Sequence, residues 1–398
     1  MESNWACLPD DLESNWACLP DDLLVLILDR LITLSDYVCF SAVCMPWQAI
    51  ALENYYGERR HKLSLHQPPL LFLTHTHPSI EGETTISVHN ISHQDKTYEL
   101  KSFIPNGNDR WFCSSHGWLI TVDNNFVITL SNPFCSDGII CLPRVFHVHW
   151  YDIQKVILSI DPVVAPDDYI VMVICSDRRG LKKLAFIKPG DKGWTHIVNK
   201  YIMDVIYSKG LFYALYAFGA VKTFDISENF PKLNMVSTNC YTTASYLNKK
   251  YLVESTDDED ILKFVRILVV INDELPPRVE TIGFNVFKLL VLDGEKKWVE
   301  TRDPNVLGGG ALFLDDNTST YVPASDILGC NPNSIYFVDC CLPGYNTHPA
   351  GVYPPTSYDM GIFYLGDRSF QWHCVLNSPS SPKSMSHPMW IKPTFQGK

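Results

Sequence analysis

Between Leu19 and Leu52 the apolar residues recur with a helical period, whereas beyond residue 70 they come in short runs broken by turn residues. In the first stretch Leu23, Leu24, Ile27, Leu28 and Leu31 fall at i, i+1, i+4, i+5 and i+8, which is one stripe on a helix of about 3.6 residues per turn. Pro20 suits the first helical position, where its missing N–H costs nothing, and Asp21 and Asp22 complement the positive end of the helix dipole. A second helix is expected after Ser35, a good N-cap, carrying Tyr37, Val38, Phe40, Ser41, Val43 and Cys44. Pro46 ends it and opens a third, on which Trp47, Ile50, Ala51 and Tyr55 recur on one side. Three short helices in about forty residues are near the size at which one core is marginal, so this unit is expected to borrow surface from a partner.

His66-Gln-Pro-Pro69 breaks any helix, and strand-like sequence begins at Leu70. From there the better strand candidates include Trp118–Val122, Phe126–Leu130, Tyr169–Cys175, Leu184–Ile187, Leu211–Tyr216, Val221–Phe224, Val265–Ile271, Asn285–Leu292, Ala311–Leu314 and Ser334–Val338. Turn clusters such as Pro189-Gly-Asp-Lys-Gly193 and Asp293-Gly-Glu-Lys-Lys297 separate them, the punctuation of hairpins. Ser115-His-Gly117 followed by two strand-like runs resembles Ser208-Lys-Gly210 followed by two more, and the two Gly are 93 residues apart. Half of that spacing falls in the roughly 40–50-residue period of propeller blades. The period gives about seven blades, in a range of six to eight; a pair of irregular β-sandwiches is the competing architecture.

The chain is therefore read as an α+β multidomain protein, a short three-helix unit followed by an all-β propeller. Residues 1–18 are expected to be a redundant, disordered extension, because ESNWACLPDDL at 2–12 is repeated without change at 13–23 and only the second copy runs into the apolar stripe. The helical unit is placed at 19–60, a linker at 61–69, the propeller at 70–376 and a C-terminal tail at 377–398.

Composition narrows the function. The net charge of −12 is uneven: residues 1–60 hold ten acidic residues, three Arg and no Lys, which leaves −5 for the other 338 residues. Without a basic stripe no nucleic-acid partner is expected. The thirteen Cys form neither paired metal spacings nor a secretory pattern, and the start of the chain carries no basic segment leading into an apolar run. The reading is a reduced protein of cytoplasm or nucleus with no membrane partner, in which the sequons at Asn90 and Asn317 are chance matches.

Catalytic signatures are absent: no G-x-S-x-G, Walker loop, H-E-x-x-H or C-x-x-C occurs. Gly308-Gly-Gly310 precedes a strand-like run and reads as a tight turn. His75 with His77, and His147 with His149, share strand faces but lack further ligands, and Asp257–Asp260 lacks the alternation of a calcium loop, so neither metal nor cofactor is expected. The Trp residues at 111, 118, 150, 194, 298 and 372 suit packing between blades better than partner anchoring.

The combination of Leu19-Pro20, Leu31 and Val43-Cys44 with Trp47 resembles an F-box. That resemblance implies a Skp-type adaptor and, through it, a cullin ubiquitin ligase. The residues it marks as F-box core or adaptor surface are Leu19, Pro20, Leu23, Leu24, Ile27, Leu28, Leu31, Val43, Cys44 and Trp47. HQPPLLFL, SSHGWLITVD, ELPPRVETIGFNVFKL, DGEKKWVE, GGGALFLDDNTS, NSIYFVD, MGIFYLGD and PMWIKPTF follow one another like the landmarks of plant F-box proteins with a KIB-type, kelch-like β-propeller. Asp315-Asp316 departs from a Gly before Asn317 in that family, and Gly308–Gly310 from a more charged turn. The resemblance implies a non-catalytic substrate receptor whose propeller binds a protein target, with kinases among the candidates. A scaffold with a vestigial F-box is the alternative, and a propeller hydrolase or lyase the third class.

Overall fold

The computed structural model describes residues 19–31, 34–54, 63, 67–76, 84–91, 97–100, 110–113, 116–123, 125, 127–132, 139–145, 153–176, 182–197, 201–226, 231–237, 248–254, 261–271, 278–315, 317–324, 327, 329–339, 359–372 and 385–393. The chain divides into two units, Met1–Gln67 and Pro68–Lys398.

The first unit holds α1 (Asp21–Leu28), α2 (Leu34–Ser41) and α3 (Met45–Asn54). Pro20 is the N-cap of α1 and not its first helical residue; its carbonyl accepts the N–H groups of Leu23 at 3.0 Å and Leu24 at 3.2 Å. Ser35 likewise lies inside α2, which starts one residue before it, so it does not cap the helix from outside. The core is Leu24, Leu28, Tyr37, Phe40, Trp47, Ile50, Ala51 and Leu63. Tyr37 donates its hydroxyl to the Ala51 carbonyl, and the Phe40 and Trp47 rings lie 4.5 Å apart. Leu63 is 1% exposed in this core, so part of the expected linker at 61–69 belongs to the helical unit.

The second unit is a propeller of six sheets. Blade 1 combines β1 (Leu70–Thr76), β2 (Thr84–Asn90) and β3 (Thr97–Leu100) with a strand from the far end of the chain. Blade 2 is β4 (Arg110–Cys113), β5 (Leu119–Val122), β6 (Ile128–Ser131) and β7 (Ile139–Cys141). Blade 3 is β8 (Ile153–Leu158), β9 (Val171–Ser176), β10 (Lys182–Ile187) and β11 (Thr195–Ile197). Blade 4 is β12 (Ile202–Ser208), β13 (Leu211–Tyr216), β14 (Val221–Asp225) and β15 (Lys232–Ser237). Blade 5 is β16 (Lys249–Glu254), β17 (Ile261–Ile271), β18 (Arg278–Leu292) and β19 (Glu295–Thr301). Blade 6 orders β21 (Ser319–Val322), β20 (Ala311–Leu314), β22 (Ser334–Asp339), β23 (Asp359–Tyr364) and β24 (Phe370–Trp372), with β20 and β22 parallel.

The last strand, β25 (Met385–Ile391), pairs antiparallel with β1 through Leu70↔Ile391 and Phe72↔Met389, so the ends of the unit close one blade. The stretch expected to be a tail is thus a structural strand. The count is six and not seven, because blade 6 has five strands and β17 and β18 run to 11 and 15 residues, beyond an ordinary blade period.

A strand buried on both faces serves two neighbours, because side chains alternate faces. On β9, Val171, Val173 and Cys175 pack toward blade 2, while Met172 and Ile174 pack toward blade 4. On β20, Leu312 and Leu314 meet blade 5, while Ala311 and Phe313 meet blades 6 and 1. Six such clusters, one per blade interface, complete the ring. Burial at about 25 cal/mol per Å² of apolar surface makes these interfaces the main cohesive term.

Candidate functional site

The ten residues expected to form the F-box surface separate by burial. Leu24 and Leu28 are fully buried and Trp47 is 9% exposed, so these three are core. Leu19, Ile27, Leu31 and Cys44 are half-buried and pack against that core. Pro20, Leu23 (45%) and Val43 (53%) are exposed. Four large apolar residues outside the expected set join them: Leu26 on α1, Val38 on α2, and Met45 and Leu52 on α3. An exposed apolar residue is ordinary singly; here six fall within one three-helix unit. The signal that would have found the missed four is that they are apolar yet fall off the core-facing stripe.

In the propeller, the inner strands β8, β12, β16 and β21 surround a cavity of about 330 Å³. Lys155, Val205, Tyr207, Glu254, Asn317, Thr318, Thr320 and Lys392 are among its lining. The lining is mixed, where a purely apolar and aromatic one would have argued against catalysis; it contains neither His nor Cys among the described residues. Lys155 is ion-paired with Asp204, and both side chains are nearly buried. Asp204 also accepts N–H bonds from Val205 at 2.9 Å and Leu252 at 2.6 Å, so one carboxylate ties together blades 3, 4 and 5. Both residues follow register shifts, between Ile153 and Lys155 and between Ile202 and Asp204. Such bulges re-aim a side chain relative to the sheet, here at corresponding places in successive blades.

Asp315 organises the turn between β20 and β21. It is 1% exposed and accepts N–H bonds from Asn317, Thr318 and Trp390 and the Thr318 hydroxyl. Burial pushes its carboxyl up to about 6 despite those four donors. Asp315 thus supplies the carboxylate that anchors β25. Asn317 is itself 8% exposed, which leaves its sequon no room for a glycan.

The tryptophans tie blade to blade. Trp118 donates to Asp161 across blades 2 and 3 at 3.0 Å, Trp194 to the Pro143 carbonyl at 2.7 Å, and Trp298 to the Gly219 carbonyl across blades 4 and 5 at 2.8 Å. The side chains of Trp111 and Trp372, all of Trp150, His77, His147 and His149, the acidic run 257–260 and Cys340-Cys341 lie outside the described residues, as does the His75 side chain. Among the described residues no group of three His, Cys, Asp or Glu comes together, and Cys39, Cys44, Cys141, Cys175 and Cys330 are free thiols.

The KIB1-4 beta-propeller family matches over residues 87–363. An Arabidopsis thaliana relative with an F-box name, At5g55150, is 26% identical over 318 residues, 76% of this chain and 79% of its own. The Arabidopsis thaliana F-box protein At2g26160 is 30% identical over 263 residues, 57% of this chain and 74% of its own. The family match spans more than half of the chain and runs through all six blades. The chain belongs to the KIB1-4 beta-propeller family, as a plant F-box protein carrying that propeller.

Proposed function

We propose that this chain is the substrate-recognition subunit of a Skp–cullin–F-box ubiquitin ligase. Its helical unit docks a Skp-type adaptor, its propeller holds a protein target, and ubiquitin transfer belongs to other subunits. The observation that carries the reading is the set of six exposed apolar side chains on the helical unit, spread over all three helices around a separate closed core. An F-box that served only as a cap for its own chain would have no use for that surface.

The test is co-purification of a Skp-type adaptor with wild type and with Leu23→Asp/Val43→Asp. Both positions are exposed, so the double variant keeps its fold while placing two charges on the docking face. Loss of the adaptor from the variant alone is the expected result. Equal recovery from both proteins, or none from wild type, would sink the assignment.

A further inference from the structure

The sequence landmark PMWIKPTF contributes more than ring closure. Its Lys392 follows β25 directly and sits between the buried residues Ile391 and Pro393. The Leu70↔Ile391 pairing and the hydrogen bond from the Trp390 N–H to Asp315 hold that position. The Trp390 ring adds an edge contact to Phe313 at 5.0 Å. Lys392 is itself half-buried, and it lines the 330 Å³ cavity bounded by the inner strands.

The cavity lining holds two lysines and one carboxylate, with Asp204 paired to the first lysine. Lys155 is neutralised by Asp204, and the lining carboxylate, Glu254, is exposed and accepts the Ser208 hydroxyl at 2.8 Å. Lys392 has no acceptor among the described residues, and burial draws its ammonium below the ordinary lysine range. A partly desolvated cation with no partner among the described residues favours a ligand that brings the counter-charge. Tyr207, Asn317 and Thr320 line the same cavity and bring side chains able to donate and accept hydrogen bonds. The volume lies at the lower end of the range of roughly 300–1,000 Å³ for small-molecule sites.

We propose that this cavity is a binding site for a small organic anion, with its carboxylate or phosphate seated on Lys392 and its other polar groups on Tyr207, Asn317 and Thr320. All the lining residues belong to the propeller unit.

The experiment follows unfolding of the full chain in citrate, in inorganic phosphate and in sodium chloride of matched ionic strength, for wild type and Lys392→Met. The expected result is saturable stabilisation of wild type by citrate, phosphate or both, none by chloride, and roughly tenfold or greater weakening in Lys392→Met, as befits a charged hydrogen bond. A response to citrate alone identifies a carboxylate site and to phosphate alone a phosphate site. No response of wild type to either anion, or an unchanged response in Lys392→Met, overturns the proposal. If that variant does not fold, wild type still decides: acylation of Lys392, mapped by mass spectrometry, is expected to slow at least several-fold when the anion is present, and unchanged labelling overturns the proposal.

Discussion

Replacing one partner of the Lys155–Asp204 pair should damage the propeller more than replacing both. The two side chains are only 8% and 4% exposed, and they join the inner strands of blades 3 and 4. Lys155→Met leaves a buried carboxylate with two N–H donors but without its paired ammonium, and Asp204→Asn leaves a buried ammonium facing an amide. Breaking a buried pair from one side costs about 3–5 kcal/mol, because the remaining charge is uncompensated. The double variant Lys155→Met/Asp204→Asn carries no charge there, and the Asn oxygen still accepts one of the two N–H groups. Its loss should be the desolvation cost of one orphaned N–H, about 1–3 kcal/mol. The coupling between the sites should therefore reach at least about 3 kcal/mol.

The measurement is urea unfolding near neutral pH, followed by the fluorescence of Trp118, Trp194 and Trp298, which are buried between blades and report on the propeller. Singles that each lose more than the double would bear the reasoning out. If the two single losses simply add in the double variant, the pair is not the desolvated, mutually dependent tie argued for, and the carboxylate's bridge across three blades is of no energetic consequence.

Within the helical unit, Leu24→Ala should destabilise by about 2–5 kcal/mol, as buried Leu truncations do, whereas Leu26→Ala should change little; circular dichroism melts of the two variants test this split. Asp315 sets a pH dependence. Its folded pKa of about 6 lies above the ordinary 3.8, so the folded state holds the proton more tightly. Its contribution is present in full below about pH 4 and is lost as pH rises through about 6, a swing of about 3 kcal/mol. The stability of wild type minus that of Asp315→Asn should accordingly fall between pH 4 and pH 6.5; a flat difference would contradict the burial argument. Truncation after residue 384 removes β25, bares the β1 edge and takes Met389, Trp390 and Ile391 from two blade interfaces. The truncated chain should lose its cooperative thermal transition, and an unchanged melt would show that closure is dispensable.

The blade strands were legible where both faces are buried. β9 reads VMVICS and β20 reads ALFL with every residue buried, so each appears in the sequence as an apolar run, broken only by Ser176 at the end of β9. Outer strands are the reverse case. In β15 the first four residues are exposed, and in β19 only Trp298 is buried, so neither shows more than a polar stretch near a turn. The repeat was real: Gly117 and Gly210 open β5 and β13 of alternate blades, and both need positive φ, at 76° and 80°. Counting from it overshot because the chain in blades 5 and 6 is longer than one period. On the helices, Leu23 and Leu24 both belonged to the stripe, but α1 ends at Leu28, so its orientation buries one and exposes the other. That division depends on where the helix stops, which the spacing alone does not set.

The closing strand was illegible for a more specific reason. β25 contains Pro388 and His387, which argue against a strand, since proline cannot donate to a ladder. The pairing with β1 steps from Phe72↔Met389 to Thr74↔Ser386, so two residues of β25 face one of β1 and Pro388 sits where no ladder bond is required. A bulge can only be placed once the partner strand is known, and here the partner is some three hundred residues earlier. The same holds for what closure brings together. Asp315 and Trp390 are 75 residues apart in sequence, yet they are hydrogen-bonded, and Asn317 and Lys392, two residues beyond each, line one cavity. The turn at Asp315 and the lysine that follows the last strand each look unremarkable alone. Ring closure makes them neighbours, and it is there that local sequence patterns stop predicting chemistry.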